Sequence, residues 1–273
     1  MQLDQELQNV SSVAIAGHIR PDGDCVGSCL ATYNYITTYY PQVKVCVFLE
    51  PIPRIFQFLQ GADKILEAKD SEESFDLCIV LDCGDATRLG DAVKFFETAK
   101  RTICIDHHVS NQAFADKNKI VADASSASEL VYDSMDPAKI TKEIAECIYT
   151  GMIHDTGVFQ YSCTSSHTME VAGCLMDLGI DYPTIVDKTF YEKTFAQNKI
   201  LGQALLKSRL YEDAECIASV ITQEEMAEFS VLPKHLDGIV SQLRMTKEAE
   251  VAIFLYGLEP GAYKVSTRCK GDR

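Results

Sequence analysis

The sequence predicts an α/β protein whose larger part is a parallel β-sheet covered by helices. Three observations carry this. Short apolar runs alternate with helix-length stretches from Val13 to Asp106. The runs are continuously apolar rather than alternating, as expected of strands buried on both faces. Three of them stop abruptly at an acid or a histidine, and the carboxyl edge of a parallel sheet is where functional groups reach solvent.

In chain order, Val13–Gly17 reads as a strand running into His18-Ile-Arg-Pro-Asp22-Gly-Asp24, and Gly27–Tyr40 as a helix closed by Pro41. Val43–Leu49 and Asp76–Asp82 are the next strands, the latter apolar inside and ending in an acid. Asp91–Lys100 is expected to be helical. Thr102–Asp106 is a β-branched strand that stops at Asp106-His107-His108, and Ile120–Ala122 is a short further strand. Helices follow over Ser125–Met135, capped by Ser126 or Ser128, over Thr141–Ile153, and over Ser165–Leu178, which ends at Gly179. A polar helical stretch, Tyr182–Leu206, reads as a connector. Beyond it, strands at Glu215–Ile221, Glu250–Tyr256 and Tyr263–Arg268 surround a helix at Pro233–Leu243, the start of a second α/β unit that ends in the charged tail from Lys270 to Arg273. The expected division is residues 1–185, a helical linker 186–207, and a smaller domain 208–273.

Composition narrows the function. The 273 residues carry 25 Lys and Arg against 40 Asp and Glu, a net charge of −15. That balance argues against a broad duplex-binding surface and means that handling phosphates requires cations gathered in one cleft. The polar, acidic N-terminus is unlike a signal peptide, and no apolar run reaches the roughly 18–20 residues of a membrane span. Eleven cysteines without a CxxC read as reduced thiols of a cytoplasmic protein.

The chemistry lies at the strand ends: His18 with Asp22 and Asp24, then Asp82, then Asp106-His107-His108, with Asp155 closing a buried-looking helix before Thr156-Gly157. Alone, the Asp-His-His run also fits a capped strand end with solvated histidines. A parallel sheet, however, brings all these groups to one edge. Packed carboxylates repel unless cations lie between them. Nitrogen and oxygen ligation without thiolate suits Mn²⁺, with Mg²⁺ as the alternative, better than structural zinc. The number of ligands fits two ions sharing a carboxylate, an arrangement suited to in-line displacement at phosphorus. Cys25, Cys83 and Cys104 read as small core residues beside the site. His154 is expected to pack or line the cleft, and His235 to sit on the surface. His167, Phe159 and Tyr161 each have both a structural and a substrate-facing reading, and Arg88 reads either as orienting loop carboxylates near Asp82 or as a surface pair with Asp85 or Asp91.

In this order, His18-x-x-x-Asp22-x-Asp24, Asp82, Asp106-His107-His108 and Asp155-Thr-Gly resemble the four motifs of the DHH phosphoesterase superfamily. Asp237–Arg244, Glu250–Leu255 and Lys264–Lys270 resemble the start of its DHHA1 substrate domain, so the resemblance is to the DHH–DHHA1 type, within it to the oligoribonuclease (nanoRNase) and pAp phosphatase group. It implies a first metal held by His18, Asp22 and Asp82, and a second by Asp24, Asp82, His107 and Asp155, with Asp82 as the bridge. It further implies that His108 faces the scissile phosphate, that Asp106 supports the site, and that Arg268, with Lys270 beside it, holds a substrate phosphate. Two departures stand out: Cys269 replaces the family's usual serine, and the glycine-rich segment with a histidine that follows in the family is absent, so the second domain reads as truncated. The implied activity is hydrolysis of oligoribonucleotides of 2–5 nucleotides to nucleoside 5′-monophosphates, or of pAp to AMP and phosphate. A phosphodiesterase for pApA and a nucleotide-binding sensor or scaffold are the rivals. Short RNA or a mononucleotide is the expected partner, with no membrane and with homodimerisation left open.

Overall fold

The computed structural model describes residues 1–211 and 215–270. The chain divides into two compact units, Met1–Tyr191 and Glu192–Arg273.

The first unit is built on a parallel sheet. Its strands are β1 (Ser12–Ala16), β2 (Lys44–Phe48), β3 (Ile65–Leu66), β4 (Leu77–Leu81), β5 (Arg101–Asp106) and β6 (Lys117–Ile120), in the spatial order β3-β2-β1-β4-β5-β6. Every neighbouring pair is parallel. Alternate residues of one strand enter two different cores, as the period of two requires. Val13, Ile15, Leu77, Ile79, Ile103 and Ile105 face one core, and Ala14, Ala16, Cys78, Val80 and Cys104 face the other. The second core is closed by Phe48, Phe75 and Phe95, with the Phe48 and Phe95 rings stacked at 4.1 Å.

The first core is covered by α2 (Gly23–Tyr39), α4 (Ala127–Tyr132) and α5 (Lys142–Asp155); two shorter helices are α1 (Leu3–Glu6) and α3 (Val93–Thr98). Helix α2 starts four residues before its expected start at Gly27, because Asp22 caps it by accepting the amides of Asp24 and Cys25, both at 3.2 Å. Glycine at 23 and 27 is a packing requirement. A Cβ at Gly23 would lie 2.3 Å from the His154 ring, and one at Gly27 would lie 2.5 Å from the Cys147 carbonyl oxygen on α5.

Four expectations shift. The strand expected at Ile120–Ala122 is Lys117–Ile120, an edge strand whose lysines hid its character; Lys117 pairs with Glu6 at 2.8 Å. The helix expected over Asp91–Lys100 is the shorter α3, preceded by 3₁₀ turns through a left-handed Gly90 (φ 55°). The stretch Tyr182–Leu206 is not one helix but α7 (Tyr182–Val186), a π turn over Asp187–Tyr191 and α8 (Phe195–Lys207), which follows α6 (Ser166–Asp177) in the chain. Thr194 and Gln197 form a capping box that starts α8 afresh, and α8 supplies Ile200 and Ala204 to the core of the second unit. The helix expected over Pro233–Leu243 is broken at Gly238 (φ 85°), which leaves a 3₁₀ turn and α10 (Ile239–Arg244).

The second unit holds β7 (Arg209–Tyr211), β8 (Cys216–Ile221), α9 (Gln223–Glu228), β9 (Val251–Glu259) and β10 (Ala262–Cys269). Its sheet order is β10-β9-β8-β7, with β8 and β9 parallel and both outer pairs antiparallel. The charged tail at 271–273 lies outside the described residues. Among those residues no helix is long and apolar enough to cross a membrane, and no disulfide forms.

Candidate metal centre

The carboxyl edge of the first sheet gathers the predicted groups into two clusters that meet at Asp82. In the first, His18 donates from Nδ1 to the Ile19 carbonyl at 2.8 Å. This fixes the ring so that Nε2 faces Asp82 Oδ2 at 3.3 Å and Asp22 Oδ1 at 3.7 Å. Burial alone would lower the His18 pKa, but the two carboxylates outweigh it and raise it to about 11.

The second cluster is Asp24, His107 and Asp155. His107 Nε2 lies 3.0 Å from Asp155 Oδ2, 3.7 Å from Asp82 Oδ1 and 3.9 Å from Asp24 Oδ2. Asp24 is fully buried, at the start of α2, and is held in place by the amides of Ala127 (2.6 Å) and Ser128 (2.9 Å) at the start of α4. Burial, reinforced by the charges of Asp82 and Asp155, raises the Asp24 pKa well above the carboxylate range. Burial likewise raises Asp82, against the pull of His18. For His107, burial opposes protonation, yet Asp155 and the other carboxylates raise the pKa to about 9.

Asp82 turns one oxygen toward each cluster. It does so from a left-handed backbone (φ 52°), a conformation aspartate tolerates better than most residues, while its amide still donates to Ile105 at 3.1 Å. Two buried atoms here, Asp82 Oδ1 and His107 Nε2, make no hydrogen bond. Buried polar atoms are ordinarily satisfied, and a cation beside each of these would satisfy them and neutralise the crowded carboxylates. The donors fit a pair of divalent cations.

Asp106 is different. Both its oxygens are occupied: Oδ1 by His108 Nδ1 at 2.7 Å and Oδ2 by the Asn111 amide at 2.7 Å. Burial would raise its pKa, but these two bonds hold it below the usual value, and the bond from Asp106 is the main cause that raises His108. Asp106 therefore orients His108, whose ring remains partly exposed. Asn111 is the residue missed in the sequence. Besides Asp106 it bonds the Cys83 carbonyl at 3.1 Å, and its proximity in the chain to the Asp-His-His run was the available signal.

Other candidates separate from the cluster. His154 packs between Phe56 and Phe190, with ring centroids at 4.9 and 5.8 Å, and burial lowers its pKa. His167 pairs with Asp133 at 2.9 Å, and His235 accepts the Leu232 amide. Phe159 packs on Tyr149, while Tyr161 is exposed. Among the described residues Arg88 makes no ion pair with Asp85 or Asp91, although its carbonyl accepts the Ile19 amide at 2.7 Å. Cys83 and Cys104 are buried thiols that donate to backbone carbonyls. In the second unit, Arg268 lines a cavity of about 110 Å³ with Asp237, Lys264 and Ser266. Lys270 instead donates to the carbonyls of Thr246 (2.6 Å) and Lys247 (3.3 Å).

Residues 12–152 match the N-terminal domain of the DHH family. A probable bifunctional oligoribonuclease and PAP phosphatase NrnA of Streptococcus mutans is 27% identical over 97% of this chain and 84% of its own length. The bifunctional oligoribonuclease and PAP phosphatase NrnA of Thermus thermophilus is 25% identical over 95% of this chain and 76% of its own. The crystal structure of an exopolyphosphatase-related protein from Bacteroides fragilis superposes with a TM-score of 0.90 at 26% identity, covering 98% of this chain and 82% of that one. A Methanococcus jannaschii putative family II inorganic pyrophosphatase shares the fold alone, with a TM-score of 0.50 at 14% identity over 90% of this chain and 82% of its own.

Proposed function

Because the chain belongs to the DHH family, we propose that it is a phosphoesterase that hydrolyses short oligoribonucleotides to nucleoside 5′-monophosphates and pAp to AMP and phosphate. The observation that carries this reading is Asp82, whose two oxygens each face a separate histidine–aspartate cluster, with Oδ1 and the His107 Nε2 it faces both buried and without a hydrogen bond. His18, Asp22 and Asp82 would hold one divalent cation; Asp24, Asp82, His107 and Asp155 would hold the other. Mn²⁺ suits these donors, and Mg²⁺ is the harder alternative. When bound, such a pair supplies Lewis acidity and a water activated for in-line attack at phosphorus.

The chain's own groups do the rest. Asp106 fixes the His108 ring through Nδ1 and favours its protonated form, so Nε2 is left to donate to a phosphate oxygen or to the leaving oxygen. Asn111 holds Asp106 from the other side. Arg268 and Lys264 offer cations to a substrate phosphate in the cavity of the second unit. Lys270, whose ammonium is taken by backbone carbonyls, is the weaker partner of the pair read from the sequence.

The test is Mn²⁺-dependent turnover of dinucleotides and of pAp, with pApA as a third substrate. Turnover of the first two supports the reading, and turnover of pApA alone replaces the substrate. Bound metal with no turnover of any of them overturns it.

A further inference from the structure

The first cluster contains a sulfur. Cys25 lies in the first turn of α2, fully buried, and its Sγ is within 4.8 Å of ligand atoms of both His18 and Asp82, which are buried with it. This thiol makes a long hydrogen bond, 3.9 Å, to the His18 carbonyl and a second interaction with the Cys29 thiol. Space is kept for the sulfur: a Cβ at Gly17 would lie 2.3 Å from Cys25 Sγ.

We infer that Cys25 is a further ligand of the first metal position, which makes that position a mixed nitrogen, oxygen and sulfur site selective for a softer divalent cation. The inference rests on the two-metal reading above. Two ligands of one ion lie no further apart than the sum of their bond lengths, about 4.4 Å for sulfur at 2.3 Å and nitrogen at 2.1 Å. At the tetrahedral angle the two lie about 3.6 Å apart, so from the 4.8 Å limit the sulfur and nitrogen close by up to about an ångström on binding. On ligation the thiol loses its proton to solvent and its sulfur lone pair forms the bond to the ion. Thiolate discriminates strongly against Mg²⁺ and in favour of zinc, cobalt or ferrous iron. The second cluster has no cysteine and stays the harder of the two.

Cobalt reports this directly. The protein is loaded with Co²⁺, the bound ions are counted by dialysis, and the near-ultraviolet thiolate-to-cobalt charge-transfer band is recorded. The band is expected in the wild type and in Cys29→Ser, and is lost in Cys25→Ser while the visible cobalt bands persist. Zinc affinity at this position is expected to fall by on the order of tenfold or more in Cys25→Ser. If that variant does not fold, X-ray absorption at the cobalt edge of the wild type decides, with a sulfur neighbour at about 2.3 Å expected. Bound cobalt with only nitrogen and oxygen neighbours and no near-ultraviolet band overturns the inference and leaves the phosphoesterase reading standing. Loss of the band in Cys29→Ser also overturns it. A protein that binds no cobalt overturns both.

Discussion

Replacing Gly151 by alanine sets two physical effects of opposite sign against each other. Gly151 lies inside α5, where alanine is favoured over glycine by about 1 kcal/mol. Its added Cβ, however, would lie 1.9 Å from Ser128 Oγ and 2.8 Å from both Ser128 Cβ and Asp24 Oδ1. Ordinary contact begins at 3.4 Å, so something must yield by more than an ångström. Asp24 cannot, because the Ala127 and Ser128 amides hold both its oxygens. Helix α5 must therefore back away from α4, and Asp155 leaves with it. Overpacking of this kind costs about 1–3 kcal/mol, and contacts this short put the cost at the upper end. The net loss is about 1–2 kcal/mol, a fall of roughly 2–8 °C in Tm for a unit of this size. Mn²⁺ affinity should drop as well, because Asp24 and Asp155 no longer converge. Thermal unfolding and calorimetric Mn²⁺ titration measure both effects. Ser128→Gly removes two of the three clashes, so the double variant should recover part of each loss as a favourable coupling energy. A Gly151→Ala protein with a raised Tm and full Mn²⁺ affinity would refute the packing argument.

Four further outcomes are expected. Asp82→Asn keeps a residue that tolerates the left-handed backbone but removes the shared carboxylate, so turnover should fall on the order of a thousandfold with the fold retained by circular dichroism; near-normal turnover counts against the two-cluster reading. Asp106→Asn removes the charge that raises His108, so the alkaline limb of the kcat profile should move to lower pH, whereas an unmoved limb excludes His108 as the acid. In chelated protein, His107 at about 9 and His18 at about 11 are raised above their unfolded value near 6.5. The stability they contribute is full below pH 6.5 and is lost as pH rises through the folded values; the His107 part, on the order of 3 kcal/mol, is lost by about pH 9. The raised Asp24 and Asp82 act in the same direction above the ordinary carboxylate range. Denaturant midpoints at pH 6.5 and 9 test this, and saturating Mn²⁺ should flatten the difference; a chelated protein more stable at pH 9 has the opposite sign. Arg268→Gln should raise KM on the order of tenfold with Mn²⁺ binding unchanged, and an unchanged KM removes the cavity of the second unit from substrate binding.

The sheet and its carboxyl edge were legible because buried parallel strands leave an unbroken apolar signature, as Leu77–Leu81 does. Edge strands do not: Lys117–Ile120 carries two lysines, and Ile65–Leu66 is two residues long. The start of α2 is masked in the sequence because Asp22 belongs to the run of candidate metal ligands, while the same carboxylate is the helix cap. Chain order identified the residues that could bind metal. It could not reveal that Asp106 has no free oxygen or that Asn111 is its second partner, because both depend on how the segment after β5 folds back on that carboxylate. Nor could it reveal that the Cys25 sulfur lies within 4.8 Å of ligand atoms of His18 and Asp82, which depends on how α2 packs on the sheet. The break between α7 and α8 was hidden by residues that are all acceptable in a helix; the Thr194–Gln197 box marks it only once Thr194 is seen to leave helical geometry.

The left-handed conformation of Asp82 is what makes a single carboxylate available to two clusters. In continuous β geometry, residue 82 would follow the alternation of β4, in which Leu77, Ile79 and Leu81 face one core while Cys78 and Val80 face the other. Its side chain would then point into the aromatic core that holds Phe48 and Phe95, where an ionised carboxylate has no partner and a cost of several kcal/mol. At φ 52° the chain leaves the alternation at that residue, and the carboxylate lies instead along the sheet edge, between His18 on one side and His107 on the other. Strain of about 1–3 kcal/mol at one residue is thus offset by a polar position for its side chain. The same geometry explains how a chain with a net charge of −15 can be suited to phosphate chemistry. Its acids are not spread evenly but converge on atoms that lack hydrogen bonds, and cations drawn there would present positive charge to an anionic substrate.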